Sequence, residues 1–237
     1  MKNKYIFILT VTVICSLLLS LVSEGLKSKK MKNVEIDKKK NVLLAAGVNI
    51  AEFSISDIDN YFSLNIDTLI IDNKGLVNNS LSIDNLYEIE NNQSGEVKYY
   101  SNDVEYLPLY KDNSKNILII PISGKGLWST LFGYFAIDSN NYSTVKGITF
   151  YKHKETPGLG GEVSSDKFQN KFILTRKEIY NGDELKSILL TKPGLADPDN
   201  LYEVDGISGA TITSNGLTKF LKRDLKRYEK YFSQNKR

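Results

Sequence analysis

Four hydroxyls gather at Ser208, Thr211, Thr213 and Ser214 within the run Asp205-Gly206-Ile207-Ser208-Gly209-Ala210-Thr211-Ile212-Thr213-Ser214-Asn215-Gly216. Gly206, Gly209 and Ala210 strip bulk from around them. A helix-patterned run follows at once, so backbone amides of a helix N-terminus point at the same place, an arrangement that favours a phosphate. The plainer reading is a capping loop, with Asp205-Gly206 as a turn and Ser214 or Asn215 as N-cap.

A second segment, His153-Lys154-Glu155-Thr156-Pro157-Gly158-Leu159-Gly160-Gly161-Glu162, sets three glycines around one leucine. Glycine there lets the backbone approach a flat ligand, Pro157 stiffens the turn, and Glu155 and Thr156 offer polar contacts. Its plainer reading is a tight inter-strand loop, with His153 as a loop residue. The third segment is Gly124-Lys125-Gly126-Leu127-Trp128-Ser129-Thr130. It lacks the spacing of a phosphate-binding P-loop. Trp128, the sole tryptophan, either packs on a ring or closes the core, and taken alone the core reading is the stronger.

The chain has one cysteine, Cys15, and one histidine, His153. That excludes an intramolecular disulfide, a multi-cysteine zinc or iron–sulfur site and a His-rich metal site. Any redox chemistry therefore needs a bound organic cofactor. Charge is segregated: residues 23–40 hold seven Lys against three acids, and 217–237 hold eight Lys/Arg against two. Residues 41–216 carry a net −9. Basic ends around an acidic middle are not the footprint of a nucleic-acid binder.

These segments need elements to hold them. Asn41–Gly47 reads as a short apolar helix, and Ser54–Phe62 as another, capped by Ser54 or Ser56 with Asp57 and Asp59 in its first turn. Strand patterns fall at Thr68–Asp72, Leu86–Glu90, Ile117–Ile122, Leu131–Ile137, Val145–Tyr151 and Ser187–Thr191. Asn78–Asp112 shows weak periodicity and gives no clear element. Leu217, Phe220, Leu221, Leu225, Tyr228 and Phe232 recur at helical spacing with Lys and Arg opposite. Strands bracketed by helices suggest α+β.

Tyr5–Val22 is an 18-residue uncharged run after Lys2 and Lys4. As a helix it is about 27 Å long, close to the ~30 Å hydrocarbon core of a bilayer. It ends Ser20-Leu21-Val22-Ser23-Glu24-Gly25, a poor signal-peptidase site. Ile14 before Cys15 argues against lipidation. The run is therefore expected to be a retained single-span anchor over 1–26, followed by a basic segment over 27–40 and one domain over 41–237. A literal positive-inside count puts that domain in the cytoplasm, but long domains escape the rule.

Together, the three segments resemble the C subunit of the bacterial sodium-translocating NADH:quinone reductase. The resemblance takes in the N-terminal span, Asn41–Gly47, Gly126–Thr130, His153–Glu162 and the flavinylation pattern at Asp205, Ser208, Gly209, Ala210 and Thr211. It implies an FMN joined to Thr211, not Thr213, by a phosphoester bond made by a separate flavin transferase that uses FAD. It also implies a ring site drawn from Trp128, Glu155, Thr156, Gly158, Leu159 and Gly160, in a flavin-binding part at about 115–232. The implied fold is one transmembrane helix and an α+β FMN-binding domain of mainly antiparallel sheet with flanking helices. The implied role is electron transfer between an iron–sulfur centre and a second flavin in partner subunits. That role belongs to a complex that oxidises NADH, reduces quinone and pumps sodium. The flavin domain is expected on the outer face of the cytoplasmic membrane, with lipid around the span. The G subunit of the Rnf ferredoxin:NAD oxidoreductase shares two of the motifs, but Gly126-Leu127-Trp128-Ser129-Thr130 argues against it. A non-redox membrane-anchored binding module is the rival from another class.

Overall fold

Lysine and leucine are good helix formers, and no proline interrupts the chain between Lys2 and Ala45. In the computed structural model, which describes residues 2–236, α1 (Lys2–Ala45) accordingly runs for 44 residues. Its most apolar 18-residue window reaches a mean hydropathy of 2.6 with no part buried, and α1 is long and apolar enough to cross a membrane. The helix expected at Asn41–Gly47 is thus the end of α1, and the basic stretch 27–40 is helical. Gly47, at φ 65°, stops it. The end carbonyls of Val42, Leu43 and Leu44 are satisfied locally by the amides of Ala46, Val48 and Gly47, and the sheet domain adds the Thr149 hydroxyl on Asn41 O at 3.1 Å and Lys115 Nζ on Gly47 O at 2.6 Å. The chain divides into two compact units, residues 1–38 and 39–237.

α2 (Ile55–Asn65) starts at Ser54, which accepts from the Asp57 amide while Asp57 accepts from the Ser54 amide, a reciprocal cap. The chain then enters an antiparallel seven-stranded sheet. Its strands are β1 (Ile66–Ile71), β2 (Tyr87–Glu90), β3 (Val97–Ser101), β4 (Val104–Asp112), β5 (Ile117–Lys125), β6 (Thr130–Asp138) and β7 (Val145–Lys152). The order is β2-β3-β4-β5-β6-β7, with β1 also on β4. β4 pairs with β3 up to Tyr106 and with β1 from Leu107 onward. The obscure stretch 78–112 therefore contains three strands. β2, exposed along its whole length, matches the strand pattern at Leu86–Glu90, whereas β3 and β4 were not expected. The β3–β4 turn is Asn102-Asp103, both at positive φ, as a two-residue hairpin demands.

Beyond β7 come a 3₁₀ turn at Gly160–Ser164, α3 (Asp166–Gln169) and a 3₁₀ turn at Asn170–Phe172. The short strands β8 (Tyr180–Asn181), β9 (Glu184–Leu185), β10 (Leu189–Thr191) and β11 (Glu203–Asp205) follow, the last two paired in parallel. α4 (Thr211–Arg227) and α5 (Glu229–Asn235) close the fold. Leu217, Phe220, Leu221, Leu225, Tyr228 and Phe232 are all buried, as their spacing predicts. The expected single helix instead breaks at Tyr228, whose hydroxyl donates to Pro108 O at 2.7 Å. At Gly124 an added Cβ would lie 2.3 Å from the Phe220 side chain, so α4 sits directly on β5. The architecture is α+β, a long apolar helix followed by an antiparallel-sheet domain with flanking helices, as expected.

Candidate functional site

The site assembles around one carboxylate. Glu155 lies three residues past the end of β7 and is only 5% exposed. Its Oε1 accepts from the amides of Trp128 and Ser129, each at 2.9 Å, and its Oε2 accepts from the Leu127 amide at 3.1 Å. Oε2 also accepts from the Thr213 hydroxyl at 2.8 Å. One side chain thus binds the loop before β6 to the first turn of α4. Burial by itself pushes the Glu155 carboxyl up. The bonds from Thr213 and from the Trp128, Ser129 and Leu127 amides outweigh it, holding the group below the ordinary carboxylate value.

Small residues make this approach possible. A Cβ on Gly160 would stand 2.6 Å from Glu155 Oε2 and 2.7 Å from Thr213 Oγ1, and one on Gly126 would stand 2.8 Å from Glu155 Oε1. Gly209, at φ 72°, is 2.7 Å from the Leu159 side chain by the same measure, so the Asp205–Gly216 and His153–Glu162 segments touch. His153 Nδ1 accepts from the Glu155 amide at 3.2 Å, which leaves Nε2–H to donate to the Ser164 hydroxyl. His153 therefore braces the loop through both ring nitrogens.

α4 begins at Thr211 with Ala210 as an N-cap that makes no side-chain bond. The expected capping by Ser214 or Asn215 does not occur: Ser214 is buried inside the helix and its hydroxyl accepts from the Ile207 amide at 3.1 Å. The amides of Thr211, Ile212 and Thr213 have no hydrogen-bond partner among the described residues. Thr211 and Ser208 are exposed, Ala210 is buried, and Thr213 is 1% exposed. Asp205 accepts from the amides of Gly194 and Ala196 at 2.8 and 3.0 Å, while Lys171 Nζ donates to Asp205 O at 3.2 Å. Asp205 thereby fixes the 194–196 loop against the segment that leads into α4.

Trp128 is 68% exposed, which overturns its reading as a core residue. Leu159 and Ile212 are exposed with it, as are Thr156 and Gly158. The predicted site residues thus sort into an exposed rim, Trp128, Thr156, Gly158, Leu159, Ser208, Gly209 and Thr211, and a buried base, Glu155, Gly160 and Ala210. Sequence reasoning missed Ile212 and the clamp role of Thr213. Ile212 was discoverable: it is apolar, yet it lies about 140° around α4 from the core residue Leu217.

Residues 126–226, which include most of the loop before β6 and both later segments, match the FMN-binding domain family. The chain is 31% identical to the C subunit of the Na(+)-translocating NADH-quinone reductase of Yersinia pestis over 86% of this chain and 81% of that one. Its identity to the Pseudomonas aeruginosa C subunit is 30%, over 90% and 87%. The crystal structure of the C subunit from Parabacteroides distasonis superposes with a TM-score of 0.69 at 28% identity, covering 88% of this chain and 97% of that chain. Shewanella oneidensis NqrC shares the fold, with a TM-score of 0.66 at 24% identity, covering 84% and 95%. By likeness along nearly its whole length, this chain belongs to the family of C subunits of the Na(+)-translocating NADH-quinone reductases.

Proposed function

We propose that this chain is the electron-transfer subunit of a sodium-pumping NADH:quinone reductase and carries one FMN as a phosphoester on the Thr211 hydroxyl. The observation that carries the assignment is the contrast between two threonines. Thr211 is exposed at an open helix N-terminus, whereas Thr213 is buried with its hydroxyl committed to Glu155. The residues present suit the group. The free amides of Thr211, Ile212 and Thr213 favour a phosphate. The exposed faces of Trp128, Leu159 and Ile212 suit an isoalloxazine ring, and glycine at 158 and 209 permits close approach. When bound, FMN supplies the electron transfer, and the chain supplies position and surroundings. Glu155, ionised and fully hydrogen-bonded, moves no proton; it holds the Trp128 loop against α4. Thr156 and Ser208 offer exposed hydroxyls to polar groups on the rim.

A threonine hydroxyl needs a base to act as a nucleophile. His153, the only histidine, is engaged at both nitrogens. This supports attachment by a separate flavin transferase, which cleaves the FAD pyrophosphate, places the FMN phosphoryl group on Thr211 and releases AMP. Asp205, Ser208, Gly209 and Ala210 form the recognition segment. The anchor (1–26), the basic segment (27–40) and the domain (41–237, with its flavin part at about 115–232) place the cofactor beside partner membrane subunits. We assign the domain to the outer face of the cytoplasmic membrane. Electrons pass between an iron–sulfur centre and a second flavin held by those partners. The test is ultraviolet fluorescence of the denatured chain, since only a covalent flavin survives denaturation. Thr211→Ala is expected to abolish it and Thr213→Ala to retain it. Peptide mapping that put the flavin on Thr213 or Ser208 would overturn the assignment.

A further inference from the structure

Immediately beyond the uncharged run, α1 carries Lys27, Lys29, Lys30 and Lys32, all exposed, and Glu24 is the only acid between Val22 and Lys32. Lys27 pairs with exposed Glu24 at 3.2 Å, and Lys29, Lys30 and Lys32 have no ion-pair partner among the described residues. At 3.6 residues per turn these lysines point at about 0°, 200°, 300° and 140° around the axis. They form a collar, not a stripe. A single protein partner would meet a stripe, whereas lipid surrounds a helix on every side.

The axial dimensions agree. Lys27 to Lys32 covers about 7.5 Å of helix, against about 5–8 Å for one headgroup layer. Helical Cα–Cβ bonds tilt toward the N-terminus, so these side chains lean back toward the apolar run and reach headgroup depth as they snorkel. We propose that the Lys27–Lys32 collar binds the phosphates of anionic phospholipids and fixes the depth of α1 in the bilayer. The charge excess on this side of the span thereby acts as a lipid-binding device, in a position where the positive-inside rule gives no account of it. The proposal rests on the reading of α1 as a membrane span.

The test uses the full chain, solubilised in neutral detergent with equal amounts of phosphatidylglycerol and phosphatidylcholine, and reads retained lipid by native mass spectrometry. Each lysine at an anionic surface contributes about fivefold to association. We expect phosphatidylglycerol to be enriched at least tenfold over phosphatidylcholine. The enrichment should vanish when all four lysines are changed to glutamine and persist when they are changed to arginine. Glutamine favours helix as lysine does, so α1 itself should be unaltered. Equal retention of the two lipids, or enrichment unchanged in the glutamine variant, would overturn the proposal. Alkaline extraction of membranes separates the premise: release of the wild-type chain would defeat the span reading and this proposal together. Lipid parity in a chain that resists extraction would defeat the collar alone.

Discussion

Glu155 is the residue on which the site turns, and it does so by geometry, not by proton chemistry. Its carboxylate accepts from three consecutive amides and from Thr213. Glu155→Gln keeps the size but removes the charge and gives an NH₂ group where an acceptor is needed. We expect a loss of about 1–3 kcal/mol in the unfolding free energy of the full chain. This carboxyl lies below its ordinary value of 4.5 when folded. Its stabilising contribution is therefore present above about pH 4.5 and fades as the pH falls, because the unfolded chain then takes up the proton first. The gap between wild type and Glu155→Gln should accordingly close in acid. A gap of constant size from pH 7 to pH 3.5, measured by thermal unfolding, would contradict this. Gly160→Val makes the complementary change: its side chain would invade the Glu155–Thr213 contact, and flavin loading should fall while α4 remains helical.

At the scale of elements, the hairpin from β2 to β3 buttresses the site from behind. The Thr130 hydroxyl donates to Glu90 at 2.6 Å, the Lys125 amide to Ser94 O at 3.0 Å, and the Val97 amide to the Ser123 hydroxyl at 2.9 Å. Arg227 on α4 reaches Val97 O at 3.1 Å and Glu105 at 2.9 Å. The Trp128 loop is thus held from both sides, by Glu155 in front and by the hairpin behind. The closeness of α4 to this loop yields a prediction that opposes helix propensity. Glycine to alanine inside a helix ordinarily adds about 1 kcal/mol. At Gly216, however, a Cβ would lie 2.2 Å from Lys125 O, a backbone atom that cannot swing away. Gly216→Ala should destabilise the chain by about 1–3 kcal/mol, as overpacking does. A raised unfolding midpoint in denaturant would refute the packing argument.

Across the whole molecule, the chain separates an apolar helical run, a basic segment, an acidic middle and a basic C-terminal segment. Residues 39–237 form their own compact unit with a continuous core, from Ile71 in β1 to Phe232 in α5. Removal of residues 1–26 should therefore leave a soluble domain with native circular dichroism, monomeric in sedimentation. Aggregation of that product would show that the span contributes to the fold itself. Orientation is checked with alkaline phosphatase fused after residue 237, which is expected to be active because that enzyme folds only outside the cytoplasm. An inactive, stable fusion would return the domain to the side that a literal charge count favours.

Interactions between near neighbours in the chain were readable from the residues themselves. An uncharged run spells out a helix long and apolar enough to cross a membrane, Ser54 or Ser56 an N-cap, and the 3.6-residue recurrence from Leu217 to Phe232 a buried helix face. In each the partners lie within a turn or two, so the pattern is the mechanism. The start of α4 was not readable, because Ser214 resembles a cap until the Ile207 amide claims its hydroxyl. β2 was readable at Leu86–Glu90, but β3 and β4 stayed hidden because neither run alternates cleanly, and such strands gain their stability from pairing across the sheet. The difference between Thr211 and Thr213 had the same origin. Two threonines two positions apart are chemically equivalent, and only the fold, by bringing Glu155 across 58 residues to Thr213, buries one and leaves the other in water.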